Sequence, residues 1–109
     1  MSVLIRNSQF TQLVEFIVAA AHAADLAAAL IARVEQITCF YPGFISGRVH
    51  LNREGDRVLM QLLWSSKEHG EHALEQAGSV EPDLLGLACK YYAAALLCST
   101  YDEVIVLSV

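Results

Sequence analysis

Positive charge is scarce in this chain. Its 109 residues include 7 Lys and Arg against 12 Asp and Glu, which gives a formal net charge of −5. Nucleic-acid binding requires clustered basic side chains that displace counterions from the phosphates, whereas the few basic residues here are scattered. A nucleic-acid partner is therefore not expected.

Long uninterrupted apolar runs are also missing. The most apolar stretch, VEFIVAAAHAADLAAALIA at 14–32, is broken by Glu15, His22 and Asp25, so it does not predict a membrane span. The opening MSVLIRNSQF becomes polar too early for a secretory signal. We therefore expect no membrane partner.

Cysteine is sparse as well. Cys39, Cys89 and Cys98 form an odd set without the C-x-x-C spacing of redox and zinc motifs. Such a set is typical of free thiols in a reducing compartment. The sequence therefore predicts a cytoplasmic protein.

Apolar residues, in contrast, are abundant. They make up 55% of the chain, and charged residues make up 17%. The length suits one domain spanning 1–109, and a domain of this size has too little interior to bury so many apolar side chains. Such an excess is commonly buried against a second subunit, so the composition predicts a homodimer or a larger assembly.

Hydrophobic periodicity divides the chain into alternating strands and helices. A β-branched run at 11–20 predicts a strand. The segment 21–37 predicts a helix whose apolar stripe is Leu26, Leu30, Val34 and Ile37, with Arg33, Glu35 and Gln36 turned away from it. Strands are predicted at about 44–52 and 57–64.

The second half continues with helical signals and a final strand. Ser65 and Glu68 have the spacing of a capping box, and Gly78 is a plausible end of that helix. EPDLLGLACKYYAAALL at 81–97 predicts a third helix with Pro82 in its first turn, and YDEVIVLSV at 101–109 predicts the last strand. The order β-α-β-β-α-(α)-β indicates an α+β, ferredoxin-like fold, with helices on one face of a four-stranded antiparallel sheet.

The hairpin GRVHLNREGDRVLMQLLW at 47–64 carries the candidate site. A three-residue loop, Arg53 to Gly55, predicts that His50 pairs with Val58 and Arg48 with Met60. One face then holds Phe44, Ser46, Arg48, His50, Val58, Met60, Leu62 and Trp64. That mixed face suits a ligand cavity, whereas the aliphatic opposite face suits packing under the helices. A two-residue turn would instead place His50 opposite Leu59.

Three segments together resemble one known family. YPGF at 41–44, VHLNREGDRVLMQLLW at 49–64 and WSSKEHGEHAL at 64–74 are similar to the antibiotic biosynthesis monooxygenase superfamily, whose members are small dimeric α+β barrels. The resemblance implies oxidation of an aromatic polyketide by molecular oxygen without flavin, haem or metal. It therefore implies a small aromatic partner and no cofactor.

The resemblance also implies site residues. His50 and Trp64 stand where the family has its histidine and tryptophan, whereas Met60, Gly70 and Leu84 stand at the positions of an asparagine, a tyrosine and an arginine. We expect His50 to act as acid/base, Arg48 to stabilise an oxyanion and Trp64 to stack on the substrate. The other residues expected to bind substrate are Met60, Phe44, Ser46 and Leu62.

Alternative interpretations remain open at this point. Met60 and Gly70 favour a non-oxidising protein of the same fold, either a cyclase- or isomerase-like enzyme or a small-molecule-binding protein. In a third interpretation the sheet faces pack tightly and leave no cavity. His69 and His72, three residues apart beside Glu68 and Glu71, are interpreted as a solvated helix surface, so no metal site is predicted.

Overall fold

The computed structural model describes residues 3–77 and 83–108. Within them it contains strands β1 Val3–Asn7, β2 Phe10–Ile17, β3 Phe44–Leu51, β4 Arg57–Trp64, β5 Ala95–Tyr101 and β6 Val104–Ser108. The helices are α1 Ala20–Gln36, α2 Lys67–Ala77 and α3 Leu84–Lys90, and a single 3₁₀ turn spans Thr38–Phe40.

The main sheet has the ferredoxin-like arrangement. Its strands lie in the order β3-β4-β2-β5, and every neighbouring pair is antiparallel. The helices cover one face, where β2 and β4 contribute alternate apolar side chains to the core. The predicted α+β class with a four-stranded antiparallel sheet is confirmed.

Helix α1 follows its predicted stripe, with one exception. Leu26 and Leu30 are fully buried. Arg33, which was expected to turn away, is only 6% exposed and donates from Nη1 to Thr38 Oγ1 at 3.3 Å. The prediction for Arg33 is wrong because this position lies three residues after Leu30, on the side of the helix that packs on the sheet.

The third helix is shorter than predicted. It ends at Lys90. Just after it, Tyr92 adopts a left-handed φ of 57°, and Ala93 N–H donates to Ala88 O at 2.8 Å. The following Ala95–Tyr101, predicted to be partly helical, is the fourth strand of the sheet and pairs with β2 along its length. Pairing with a buried central strand outweighs the helix propensity of its alanine and leucine residues.

The last strand, predicted to complete the main sheet, does not join it. Instead, β6 pairs with β1 in a separate two-stranded ribbon, and β1 was not expected from the sequence. Apart from Val104, the aliphatic side chains of this ribbon are about half exposed or more. Two strands alone bury little, so the ribbon leaves an apolar surface in the single chain.

Helix ends also differ in detail from the sequence predictions. The Ser66 hydroxyl, rather than that of Ser65, accepts from the first turn of α2 at His69 N–H (3.3 Å). Helix α3 is capped by Asp83, whose Oδ1 accepts from Gly86 N–H at 2.6 Å. The predicted helix end at Gly78 and the first-turn Pro82 lie outside the described residues.

The described part of the chain contains no helix that is both long and apolar enough to span a bilayer. Cys39, Cys89 and Cys98 form no disulfide. Cys39 is half-buried, and the other two are exposed.

Candidate active site

The predicted hairpin register is wrong by one residue over most of β3. His50 pairs with Leu59 and Arg48 with Gln61, whereas Phe44 pairs with Trp64 as expected. A β-bulge between Phe44 and Ser46 reconciles the two registers.

Asn52 accounts for the longer loop. Its Oδ1 accepts from the backbone N–H groups of Asp56 (3.0 Å) and Arg57 (2.9 Å), and its own N–H donates to Arg57 O at 3.3 Å. The loop therefore contains four residues, Arg53 to Asp56, instead of three. Gly55 has the left-handed φ (73°) that was predicted.

This register separates the predicted site residues. A Cβ on Gly47 would lie 3.2 Å from Val34 of α1, so Gly47 faces the helices. Because side chains alternate along a strand, Arg48 and His50 point to the other side of the sheet, which we call the open face. Ser46 lies on the open face with them, whereas Met60, Leu62 and Trp64 lie on the helix side with their partners on β2. The expectation of one shared face is thus wrong, and the catalytic roles of His50 and Arg48 stay predictions.

On the open face, His50 lies in a shallow groove. Glu15, Arg57 and Leu59 line it as well. Arg57 Nη1 lies 3.4 Å from Glu15 Oε1, and both side chains are partly exposed. Such a pair is strongly solvated and adds little to stability.

A second concavity lies between the sheet and the helices, on the opposite side from the predicted cavity. We call it the helix-side pocket. Its cavity volume is about 30 Å³, and the empty space including its mouth is about 340 Å³. It is lined by Gln12, Arg33, Thr38, Tyr41, Met60, Leu62, Trp64, Ala73, Leu74 and Leu84. The cavity has room for about one water molecule, so a larger ligand requires side chains to move at the mouth.

Two of the polar side chains that line this pocket, those of Trp64 and Gln12, are buried. Trp64 is 1% exposed, and its Nε1–H finds no acceptor among the described residues. Gln12 is 4% exposed as a residue, and its amide, for which the described residues show no hydrogen bond, keeps some accessible surface. An unsatisfied buried group costs about 1–3 kcal/mol. Such groups beside a cavity indicate a place where a polar ligand or water binds.

The other polar lining residues come from α1 and the segment after it. Arg33 donates to the Thr38 hydroxyl and has further partners besides, and Tyr41 is half-buried against the core. The described lining contains one cation and no carboxylate. The described lining therefore offers several hydrogen-bond donors to an oxygen atom of a ligand.

The three departures from the resemblance cluster around this same pocket. Met60 and Leu84 line it. Gly70 packs against Phe10 and Trp64 so closely that a Cβ would overlap the Phe10 ring, 2.6 Å from Cε2. The aromatic rings of β2 and β4 therefore fill the space that a side chain at Gly70 would need.

Sequence reasoning missed Gln12, Arg33, Thr38 and Tyr41. Gln12 did leave a signal, because it is the single polar residue in the alternating row Phe10, Gln12, Val14 and Phe16. Arg33 left a similar one, at a stripe position of α1. Polar residues at such positions are uncommon and often have a specific role.

The histidines of α2 form no metal-like cluster. Nδ1 of His69 lies 2.7 Å from Ser66 Oγ and 3.2 Å from Ser65 Oγ, at the start of the helix. Among residues 3–77 and 83–108, no group of three His, Cys, Asp or Glu side chains has the geometry to hold a metal ion.

Solved structures share this arrangement of sheet and helices. A monooxygenase from the Streptomyces coelicolor gene ActVA-Orf6, in complex with the ligand Nanaomycin D, has a TM-score of 0.73 at 17% identity, with 87% of each chain covered. The chain has the antibiotic biosynthesis monooxygenase fold. The resemblance inferred from the hairpin and its flanking segments is thereby confirmed at the level of fold.

Two further structures with the antibiotic biosynthesis monooxygenase fold agree. SnoaB, a cofactor-independent oxygenase from Streptomyces nogalater, has a TM-score of 0.59 at 16% identity, covering 86% of this chain and 91% of its own. A protein from Caulobacter crescentus that is described as an antibiotic biosynthesis monooxygenase has a TM-score of 0.65 at 14% identity, covering 90% of this chain and 92% of its own. No family model and no curated protein sequence matches the chain.

Proposed function

We propose that the chain binds a small, flat, oxygen-bearing aromatic molecule in the helix-side pocket and oxidises it with molecular oxygen, without a cofactor. The observation that carries this proposal is the unpartnered Trp64 Nε1–H at a cavity otherwise walled mainly by apolar side chains. The fold supports it, because one solved structure with this fold holds the ligand Nanaomycin D and another is a cofactor-independent oxygenase.

The proposed oxidation requires the pocket residues to exclude water and to stabilise an anion. An anthrone-type substrate loses a proton to water at the mouth of the pocket and becomes an electron-rich anion, which donates electrons to dioxygen. One oxygen atom becomes a new carbonyl on the ring, and the other leaves as water. Apolar walls exclude bulk water, and the indole N–H favours the anion. The described lining contains no His, Asp or Glu to serve as a base, so the proposal favours substrates that are themselves acidic.

Oxygen uptake with anthrone as the substrate tests the proposal. Consumption of one dioxygen per anthraquinone formed, above the rate without protein, is the expected result. We expect Trp64→Phe, which retains a ring but removes the N–H, to lower the rate about tenfold or more. Arg57→Met, on the open face, serves as the matched control and keeps the rate. A rate equal to that without protein would refute the oxidation.

A non-oxidising role is the second candidate, and the absence of a described base in the pocket favours it. A binding protein or a cyclase-like enzyme would retain the ligand preference of the pocket without consuming oxygen. Ligand binding in the same assay, with no oxygen uptake, selects this function.

We also propose that a second copy of the chain covers the open face. Leu97 and Tyr101 on this face are 53% and 54% exposed, and the β1–β6 ribbon adds further exposed aliphatic side chains. An isologous dimer would bury these surfaces together. Light scattering should give twice the mass of the chain, and Leu97→Lys should shift it towards the monomer. A monomeric wild-type protein would exclude this assembly.

The three free thiols support a reducing compartment, which is consistent with the cytoplasm.

A further inference from the structure

Gln12 and Trp64 are neighbours on the helix side of the sheet. Gln12 pairs with Leu62, and Phe10 pairs with Trp64, so Gln12 and Trp64 occupy diagonal positions on adjacent strands. Diagonal neighbours on one face of an antiparallel pair lie about 7–8 Å apart at their Cα atoms. Their side chains line one cavity, where the Trp64 Nε1–H is buried without a partner among the described residues.

The two groups differ in what they can bind. An indole N–H is a donor and cannot accept, whereas an amide offers both a donor and an acceptor. A ligand with two separate oxygen functions can bring an acceptor oxygen to Trp64 and a second oxygen function to Gln12 at the same time. A hydrocarbon pairs with neither group.

We propose that Gln12 is a specificity-determining residue and that, together with Trp64, it selects aromatic ligands bearing two oxygen functions, a carbonyl and a hydroxyl. The carbonyl oxygen accepts from Trp64 Nε1–H, and the hydroxyl donates to Gln12 Oε1. Gln12 thereby supplies, from the neighbouring strand, the carboxamide that the resemblance places at Met60. The inference rests on the helix-side pocket of the proposed function and is independent of oxidation.

Three ligands of similar size separate these contacts. Tetralin carries no oxygen, 1-tetralone carries a carbonyl, and 6-hydroxy-1-tetralone carries both groups. The chain has one tryptophan, so the indole N–H gives one assignable signal in a ¹⁵N–¹H spectrum. We expect both ketones, but not tetralin, to shift this signal downfield. We also expect the hydroxyketone to bind about five- to tenfold more tightly than the ketone.

The decisive variant is Gln12→Met, which keeps the side-chain length and removes the amide. We expect it to bind both ketones equally well. Its urea midpoint should equal or exceed that of the wild type, because the variant removes an amide for which the described residues show no hydrogen bond. Gln61→Met is the matched control, because Gln61 lies on the open face, where it pairs with Arg48. This variant should retain the preference for the hydroxyketone.

Three results would overturn the inference. The first is an unchanged preference for the hydroxyketone in Gln12→Met. The second is a lower urea midpoint for that variant, which would assign Gln12 a structural role. The third is an indole signal that none of the ligands shifts at saturation. Failure of the oxidation assay leaves the binding preference intact, so the two proposals fail separately.

Discussion

Replacing Gly70 by alanine tests how closely α2 packs on the sheet. Alanine is favoured over glycine in a helix interior by about 1 kcal/mol, so the substitution would ordinarily stabilise the protein. At this position the new Cβ would overlap the Phe10 ring and lie 3.2 Å from Trp64 Cδ1. Both rings are buried and are packed by the rest of the core, so neither can move freely.

The expected effect follows from two opposing contributions. Overpacking a well-filled core costs about 1–3 kcal/mol, and so close an overlap with a buried ring belongs to the upper part of that range, about 2–3 kcal/mol. The gain in helix propensity offsets about 1 kcal/mol of it. We therefore expect Gly70→Ala to lower the free energy of unfolding by about 1–2 kcal/mol, which corresponds to a fall in Tm of about 5–15 °C for a domain of this size. Substitution by tyrosine, the residue that the resemblance places here, should be still more damaging.

Urea unfolding followed by tryptophan fluorescence and circular dichroism measures the effect. The midpoint should fall while the m-value stays constant, because the unfolded surface is the same. A Phe10→Leu background supplies the control, since the smaller side chain relieves the overlap and Gly70→Ala should then be neutral or stabilising. A Gly70→Ala protein at least as stable as the wild type would refute the reasoning.

Three other changes probe the hairpin, a helix cap and the open face. Asn52→Ala should lower the free energy of unfolding by about 1 kcal/mol, because it removes an acceptor for two backbone N–H groups. Arg53→Ala in the same loop should change it by less than about 0.5 kcal/mol, and equal losses in urea titrations would contradict this role of Asn52. Asp83→Ala should cost about 1 kcal/mol by removing the cap of α3, and an unchanged Tm would argue against the cap. His50→Ala should leave ketone binding in the helix-side pocket within about twofold of wild type; loss of binding in an indole titration would instead support the role predicted from the sequence.

The sequence predicted the fold well where periodicity and turn residues agree. The bounds of β3 and β4, the stripe of α1 and the left-handed Gly55 are all legible in the sequence. The register between β3 and β4 is not, because a loop longer by one residue exchanges the faces of a strand. That extra residue depends on Asn52 side-chain hydrogen bonds and on a bulge, and neither has a strong sequence signature.

The candidate site was harder to predict for a different reason. Its polar lining residues come from β2, α1 and the segment after α1, whereas the resemblance placed the site residues on β3, β4 and the helices that follow. Trp64, Met60 and Leu62 were expected around a cavity, and the structure places them together at one. Gln12 and Arg33 join them only through the packing of distant segments, which periodicity alone does not specify.

The β1–β6 ribbon has a consequence for how the chain can be shortened. Within the part of the chain that the structure describes, each of its strands has the other as its sole strand neighbour. Removing Val3–Asn7 would leave the backbone of Val104–Ser108 unpaired and expose a fresh strand edge, which is a template for intermolecular pairing. Trimming the two strands together therefore offers a safer truncation than trimming either one, although the two segments lie nearly a full chain length apart in sequence.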